Sequence, residues 1–170
     1  NKIKFFGNTF SVDPILLSDK NAKKLQDSII FCYTGLSRNS DKVAKKQIKN
    51  IPIKKIELQN MRSISDESLK ILKNKQINIK EFGQLLNEQW KLKKYLNNSS
   101  TNSQINRIYK IAIENGAYGG KVCGAGAGGF LMLIAPPFKH KIIKLKLSKY
   151  LFVPIRFEST GSKIVYFSHS

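Results

Sequence analysis

The residues with the clearest chemical potential in this 170-residue chain are glycines. Seven of the eleven glycines lie within fourteen positions, in the segment GAYGGKVCGAGAGG at 116–129. Glycine permits positive φ angles and lets a ligand or another backbone approach closely, and consecutive amides in such a loop can bind an anion. The segment therefore predicts either an anion-binding loop or a tight helix-to-strand turn packed under another element. The density of glycines around Lys121 favours the binding loop.

Two phosphate-binding motifs do not fit this segment. Residues 124–129 match the string G-x-G-x-x-G, but the dinucleotide fingerprint requires a strand before the loop and a helix after it. Here a helix is predicted before the loop and a strand after it. The Walker loop is excluded because Asn115 stands where its first glycine belongs and Val122 stands where it needs Ser or Thr.

The elements that must position the glycines are predicted from hydrophobic periodicity, caps and breakers. Residues 28–35 (SIIFCYTG) and 130–135 (FLMLIA) are apolar runs typical of buried strands. Further strands are predicted at 2–12 with a turn at Gly7-Asn8, at 152–158 and at 163–168, and helices at 19–27, 39–49, 55–73, 78–97, 101–115 and 138–151. The last two strands are joined by too short a link for a parallel crossover. The sequence therefore predicts an α+β fold in one domain, residues 1–170.

Two predicted helices have clear apolar faces. In the helix at 78–97 the inward residues are Ile79, Phe82, Leu85, Leu86, Trp90 and Leu96, with lysines opposite. Thr101 to Gln104 resemble a capping box that opens the next helix, whose inward residues are Ile105, Ile108, Tyr109 and Ala112. Gly116 then stands where a left-handed C-terminal cap is needed.

The charge alone does not establish a nucleic-acid-binding protein. The net charge is +19 and the pI is about 10.0, but only four of the thirty basic residues are arginines, the residue that favours bidentate phosphate and guanine contacts. The lysines recur at helical spacing, as in Lys91, Lys93 and Lys94, which is typical of a solvated helix face. No aromatic residues alternate with them as stacking platforms. An anionic small substrate or an acidic partner surface remains compatible with this charge.

Other chemistry is not indicated by the remaining candidates. Cys32 and Cys123 lie 91 positions apart, which suits a reducing cytoplasm and gives no metal cluster. Cys123 is interpreted as a small buried residue rather than a reactive thiol, and neither His140 nor His169 has triad or metal partners in view. No apolar run approaches the ~20 residues of a membrane-spanning helix, and the first ten residues lack the pattern of a signal peptide.

The segment GAYGGKVCGAGAGGFLML (116–133) resembles the third motif of the GHMP kinases, approximately GA-x-G-x-K-x-x-GAG-x-GG. SIIFCYTGLSRNSDKVAKKQ (28–47) and FGQLLNEQWKLKKYL (82–96) resemble the sugar-kinase branch that includes the D-glycero-D-manno-heptose 7-phosphate kinases and their fucose-kinase-like relatives. The resemblance covers residues 12–168. It implies the α+β C-terminal domain of that family, a ferredoxin-like antiparallel sheet packed with several helices.

The resemblance also implies an activity, transfer of the ATP γ-phosphoryl group, with Mg²⁺, to the anomeric hydroxyl of a heptose 7-phosphate. Kinases for fucose or galactose, or a non-catalytic basic binding module, are the alternatives. The family's ATP loop and its GQDQ-like segment, which carries the catalytic aspartate of the family, do not occur in this sequence. We therefore expect no catalytic residue here, a missing N-terminal lobe as partner, and no turnover by this chain alone.

Two groups of site residues follow from the resemblance. Ser37 and Arg38, beside Thr34 and Gly35, are expected to bind the phosphate already on the sugar, which suits a bidentate guanidinium. The alternative for Arg38 is an arginine at the start of a helix that pairs with Asp41. The residues expected near the transferring phosphates are Gly119, Gly120, Lys121, Gly124, Ala125, Gly126, Gly128 and Gly129. Three further residues keep two interpretations each. Lys121 is expected either to approach a phosphate or to be solvated, and Trp90 to belong either to the core or to a lobe interface. Glu88 is expected to be either a helix cap partner or a site contact.

Overall fold

The computed structural model describes residues 1–36 and 51–158 together with the single positions 45, 48, 160, 161, 164 and 166. The predicted phosphate-gripping pair, Ser37 and Arg38, lies outside the described residues. So do most of the helix predicted at 39–49 and most of the strand predicted at 163–168.

The described residues form six strands and five α-helices. The strands are β1 (Lys2–Phe6), β2 (Thr9–Asp13), β3 (Ile29–Tyr33), β4 (Gly119–Val122), β5 (Phe130–Ile134) and β6 (Leu151–Val153). The helices are α1 (Asp19–Asp27), α2 (Lys55–Lys73), α3 (Ile79–Leu96), α4 (Ser103–Glu114) and α5 (Pro137–Lys146), and a single 3-10 turn, Asn98–Ser100, follows α3.

Four strands form the central sheet in the order β4-β5-β3-β6, and every neighbouring pair is antiparallel. The chain passes from β3 through helices to β4, turns directly into β5, and reaches β6 through α5. This is the ferredoxin-like arrangement of two split β-α-β units. The predicted α+β fold with a ferredoxin-like antiparallel sheet is confirmed.

The sheet register brings two of the sequence-predicted segments together. β3 pairs with β5 from Ile29 opposite Ile134 to Tyr33 opposite Phe130. The residues after β3 therefore lie beside the residues before β5, at one end of the sheet. The loop between β4 and β5, residues 123–129, is at this same end.

A hydrophobic core lies between the sheet and the helices α3 to α5. The side chains buried on this side of β3 and β5 include Ile30, Cys32, Leu131 and Leu133. Trp90 is only 1% exposed, and all four inward residues predicted for α4 are buried. The prediction that β3 is buried on both faces is wrong, because only its alternate residues are fully buried. Its other face holds a half-buried aromatic cluster of Phe31, Tyr33 and Phe130.

Local signals set several boundaries as predicted. The Ser18 side chain accepts a hydrogen bond from the Asn21 amide at the start of α1. Gly116 follows α4 with φ +103°, the left-handed geometry that the C-terminal cap requires. Residues 2–13 form the predicted hairpin, with Gly7 at φ +56° in its turn.

Four boundaries were predicted wrongly. Residues 119–122 form an edge strand rather than part of a loop, because α3 packs directly against their glycines. The cap of α4 is Asn102, not Thr101, since Gln104 is used in a long-range hydrogen bond instead of a capping box. The last helix ends at Lys146, and the strand predicted at 152–158 is confined to Leu151–Val153, paired with β3.

No helix in the described parts of the chain has the length and apolar character needed to cross a bilayer.

Candidate functional site

The glycine segment divides into a packed strand and a loop. In β4, a Cβ atom at Gly119 would overlap the carbonyl oxygen of Gly83 in α3, and a Cβ at Gly120 would overlap the carbonyl oxygen of Met132 in β5. These two glycines are therefore required by close packing of a helix and a strand against β4. Of the two alternatives that the sequence left open for the glycine segment, packing under another element explains why these two positions are glycine.

The loop at 123–129 is fixed to its surroundings by hydrogen bonds. The amide of Ala127 donates to the carbonyl oxygen of Ser100 (2.7 Å), and the Asn102 side chain donates to the carbonyl oxygen of Ala127 (3.2 Å). Ala127 has φ 67°, a left-handed conformation that a non-glycine residue adopts only where its surroundings impose it. A Cβ at Gly126 would lie 2.6 Å from the Ser100 carbonyl oxygen, so this loop sits tightly on the turn after α3.

The end of β3 holds the other side of the loop. Thr34 is fully buried, and both its amide (2.9 Å) and its hydroxyl (2.8 Å) donate to the carbonyl oxygen of Gly129. The Gln104 side chain donates to the Thr34 carbonyl oxygen (2.7 Å). The Thr34 hydroxyl is therefore engaged in holding the loop, whereas Gly35, with φ +74°, is exposed at the rim.

Two lysine side chains meet beside the loop. Lys93 of α3 and Lys121 of β4 line one cavity of about 160 Å³ together with Met61, Gln89 and Trp90. The Lys93 Nζ donates to the carbonyl oxygen of Gly124 (2.7 Å). Gly124 is the exposed residue of the loop and has a φ angle of +69°. Burial, and then the nearby charge of Lys121, lower the pKa of Lys93.

Sequence reasoning identified Lys121 but missed Lys93, which was assigned to a solvated face. Lys93 lies three residues after Trp90 and three before Leu96, both of which are buried. This spacing places Lys93 on the border of the inward face and was the available signal. Lys91 is on the solvated face as predicted, and Glu88 forms an exposed ion pair with it (2.7 Å). Glu88 lies in the middle of α3, so it is not a cap partner.

Two buried polar atoms at this site have no hydrogen-bond partner among the described residues. They are Nε1 of Trp90, which lines the lysine cavity, and Oγ of Ser100, whose carbonyl group holds the loop. A buried donor without a partner is rare and calls for an explanation. The two amines and the two unpaired polar atoms thus belong to residues that line the lysine cavity or hold the glycine loop.

The other candidates take structural positions. Cys32 is fully buried in the core, and burial raises its pKa to about 11. Burial also raises the pKa of the half-buried Cys123, although Lys121 and Lys93 oppose that shift. The His140 ring hydrogen-bonds the carbonyl oxygen of Ala135 (3.1 Å), and burial lowers its pKa. His169 lies outside the described residues.

A larger cavity of about 770 Å³ lies between α1, the start of α3 and the segment after β5. It is at the opposite end of the sheet from the glycine loop, and none of the described sequence-predicted site residues lines it.

Residues 69–151 match the family described as GHMP kinases C terminal. The chain is 30% identical over 149 residues to the D-glycero-alpha-D-manno-heptose 7-phosphate kinase of Campylobacter jejuni subsp. jejuni, a match that covers 85% of this chain and 43% of that enzyme. It is 30% identical over 129 residues to the galactokinase of Candida albicans, covering 65% of this chain and 25% of the relative.

The fold is shared with solved kinases. A mevalonate kinase structure matches with a TM-score of 0.67 at 21% sequence identity, covering 89% of this chain and 45% of that chain. The mevalonate kinase of L. major matches with a TM-score of 0.68 at 17% sequence identity, covering 86% of this chain and 44% of that chain. The chain therefore spans less than half the length of each of these relatives.

Proposed function

Since the chain contains a GHMP kinase C-terminal domain, we propose that it forms the C-terminal lobe of an ATP-dependent sugar kinase. The acceptor is D-glycero-D-manno-heptose 7-phosphate, phosphorylated on its anomeric hydroxyl to the 1,7-bisphosphate on the route to nucleotide-activated heptose. The similarity to the Campylobacter heptose kinase supports this acceptor because it extends over 85% of the chain. A reaction of ATP with a phosphorylated sugar assigns the enzyme to the cytoplasm.

The observation that carries the proposal is the hydrogen-bonded glycine loop beside two lysine amines. Phosphoryl transfer depends mainly on positioning and on stabilising charge that develops in the transition state. A loop held by Thr34, Ser100 and Asn102 presents its backbone in a fixed geometry, as preorganised stabilisation requires. We assign the exposed Gly124 and the half-buried Ala125 to the phosphoryl-transfer cavity.

The remaining predicted residues have two proposed roles. Gly119, Gly120, Gly126 and Gly128 act through packing, since a Cβ at any of them would strike a backbone carbonyl group. Thr34 positions the loop through Gly129. Ser37 and Arg38 lie outside the described residues, and we propose that they bind the phosphate of the sugar together with the exposed Gly35.

The bound cofactor would be ATP, which supplies the γ-phosphoryl group, with Mg²⁺ to neutralise its phosphates. The amines of Lys93 and Lys121 and the unpaired Trp90 indole are donors that fit phosphate oxygens. They do not fit a metal ion, and no group of three or more His, Cys, Asp or Glu side chains in the described ranges could hold one. We therefore assign no metal ligand to these residues.

The β1–β2 hairpin supports an N-terminal lobe as the partner. One face of the hairpin carries Ile3, Phe5, Phe10 and Val12, which are 48–77% exposed. Its opposite face is tied to α2 by the Lys2–Asp66 ion pair (2.6 Å). Exposed apolar patches of this kind mark interaction surfaces. Because the relatives are about twice as long as this chain, we propose that their additional lobe has its counterpart against this face.

The kinase proposal is tested with this chain joined to its N-terminal lobe. We expect ADP release with heptose 7-phosphate, and none from the chain alone. Galactose and fucose are the comparison acceptors, and galactose is the stronger alternative because two galactokinases are among the relatives. Turnover only on an unphosphorylated sugar would overturn the heptose assignment. Silence with all three acceptors would contradict a sugar kinase.

A further inference from the structure

The cavity between α2, α3 and β4 contains positive charge that the described residues do not neutralise. The amines of Lys93 and Lys121 are close enough that the charge of Lys121 lowers the pKa of Lys93. No carboxylate among the described residues lies within 4 Å of either amine, in contrast to Lys70 and Lys91, which pair with acids on their own helices. Two like charges held together are unfavourable unless an anion joins them.

One residue that lines the cavity also has an unused hydrogen-bond donor. Trp90 is 1% exposed, lines the cavity, and has an indole Nε1 without a partner in the described part of the chain. Indole is a donor only, so the group that satisfies it must be an acceptor. A volume of about 160 Å³ is several times the ~30 Å³ that a water molecule occupies in the liquid. The cavity therefore has room for an oxyanion.

The Lys93 side chain links the cavity to the glycine loop. The Lys93 amine, which lines the cavity, donates to the Gly124 carbonyl oxygen at the exposed part of the loop (2.7 Å). Lys121 in turn lies in β4, the strand that leads into that loop. A ligand bound between the two amines would thus lie beside the proposed phosphoryl-transfer cavity.

We propose that Lys93, Lys121 and the Trp90 indole form a subsite for a phosphate group of a substrate. A phosphate monoester carries nearly two negative charges and three acceptor oxygens, which matches two amines and one indole donor. The phosphate comes either from the acceptor sugar or from the nucleotide. The assignment deepens the proposed kinase function and rests on it for the identity of the ligand, but phosphate binding itself requires no turnover.

The test uses Trp90 as its own reporter, since the chain contains one tryptophan. Inorganic phosphate is titrated into the chain at constant ionic strength, with chloride as the matched salt. We expect a saturable change in Trp90 emission with phosphate and none with chloride. Identical responses to both anions would overturn the subsite.

The variants distinguish the subsite from diffuse positive charge. Lys93→Met and Lys121→Met should each weaken phosphate binding about tenfold or more, since hydrogen bonds to charged groups contribute more than one power of ten in affinity. Lys121→Arg should retain most of the binding, because it keeps the charge. Lys110→Met is the matched control, an exposed lysine on α4 that pairs with Glu114 at 3.8 Å. Equal weakening by the control would refute the proposal.

Two further arms identify the source of the phosphate. Stronger binding of heptose 7-phosphate than of ADP, sensitive to Lys121→Met, assigns the subsite to the acceptor, and the reverse order assigns it to the nucleotide. Each order supports a phosphate subsite. Phosphate binding without kinase turnover would reject the proposed function but support the subsite. Kinase turnover without a phosphate-dependent change in Trp90 emission would support the proposed function but reject the subsite.

Discussion

Replacing Gly119 with alanine should destabilise the chain by about 3 kcal/mol, although alanine in place of a strand glycine ordinarily stabilises by about 0.5–1 kcal/mol. The reason is the contact between α3 and β4. A Cβ at Gly119 would overlap the Gly83 carbonyl oxygen and lie 2.9 Å from the Asn87 Cβ. Carbon atoms pack at about 3.5–4.0 Å, so α3 must retreat by roughly 1 Å.

The magnitude follows from what must move. Overpacking a core costs about 1–3 kcal/mol when flexible side chains can adjust, but the obstacle at Gly119 is helix backbone, which places the substitution at the upper end. Gly83→Ala is the reciprocal change. Helix propensity alone would make it favourable by about 1 kcal/mol, yet its Cβ would lie 2.6 Å from the Tyr118 Cβ. We expect it to be destabilising as well.

The measurement is urea unfolding followed by Trp90 fluorescence, with the free energy of unfolding obtained by linear extrapolation. Gly124→Ala is the control: its Cβ meets nothing within 4 Å, but φ is +69°, so it should cost only the ~1–2 kcal/mol of a left-handed alanine. If Gly119→Ala were as stable as the parent chain, or more stable than Gly124→Ala, the close packing of α3 on β4 would be wrong.

Three other outcomes are expected. Burial raises the pKa of Cys32 to about 11, so a thiol reagent at pH 8 should modify Cys123 first in the native chain and both cysteines equally in urea; equal native rates would contradict the core position. Burial lowers the pKa of His140, so protonation of its ring favours the unfolded chain. The free energy of unfolding should therefore fall as the pH is lowered below about 6.5, and His140→Gln should make that fall with pH less steep. Thr34→Val keeps the side-chain shape but removes the hydroxyl donor to Gly129, which should cost about 1–2 kcal/mol in the same urea assay; no loss would mean that this bond does not hold the loop.

The sequence predicted those elements whose local signals agree with their packing. Trp90 and its apolar neighbours define the inward face of α3, and Ser18 caps α1 as its type and position indicated. β4 could not be predicted in this way, because Gly119 and Gly120 have poor strand propensity. Their conformation is imposed by α3, which lies far away in sequence, and by β5, the next strand along the chain, both of which contact them closely.

The candidate site shows the same division between local and long-range information. The glycine loop and Lys121 were found because their composition is unusual over a short window. Lys93 was missed because its neighbours in the sequence are solvated lysines, and only the folded chain brings its amine to Gly124. Gln104 matched a local capping pattern, but its side chain binds the Thr34 carbonyl group, seventy positions away.

The β1–β2 hairpin has a consequence for handling this chain in solution. It forms a two-stranded sheet of its own, so each strand has an outer edge that no strand among the described residues covers, beside the aromatic face of Phe5 and Phe10. Uncovered strand edges promote association between copies. The net charge of +19 opposes that association by repulsion between chains, and salt screens the repulsion. The chain should therefore remain monomeric longest in dilute, low-salt buffer and self-associate as salt is added.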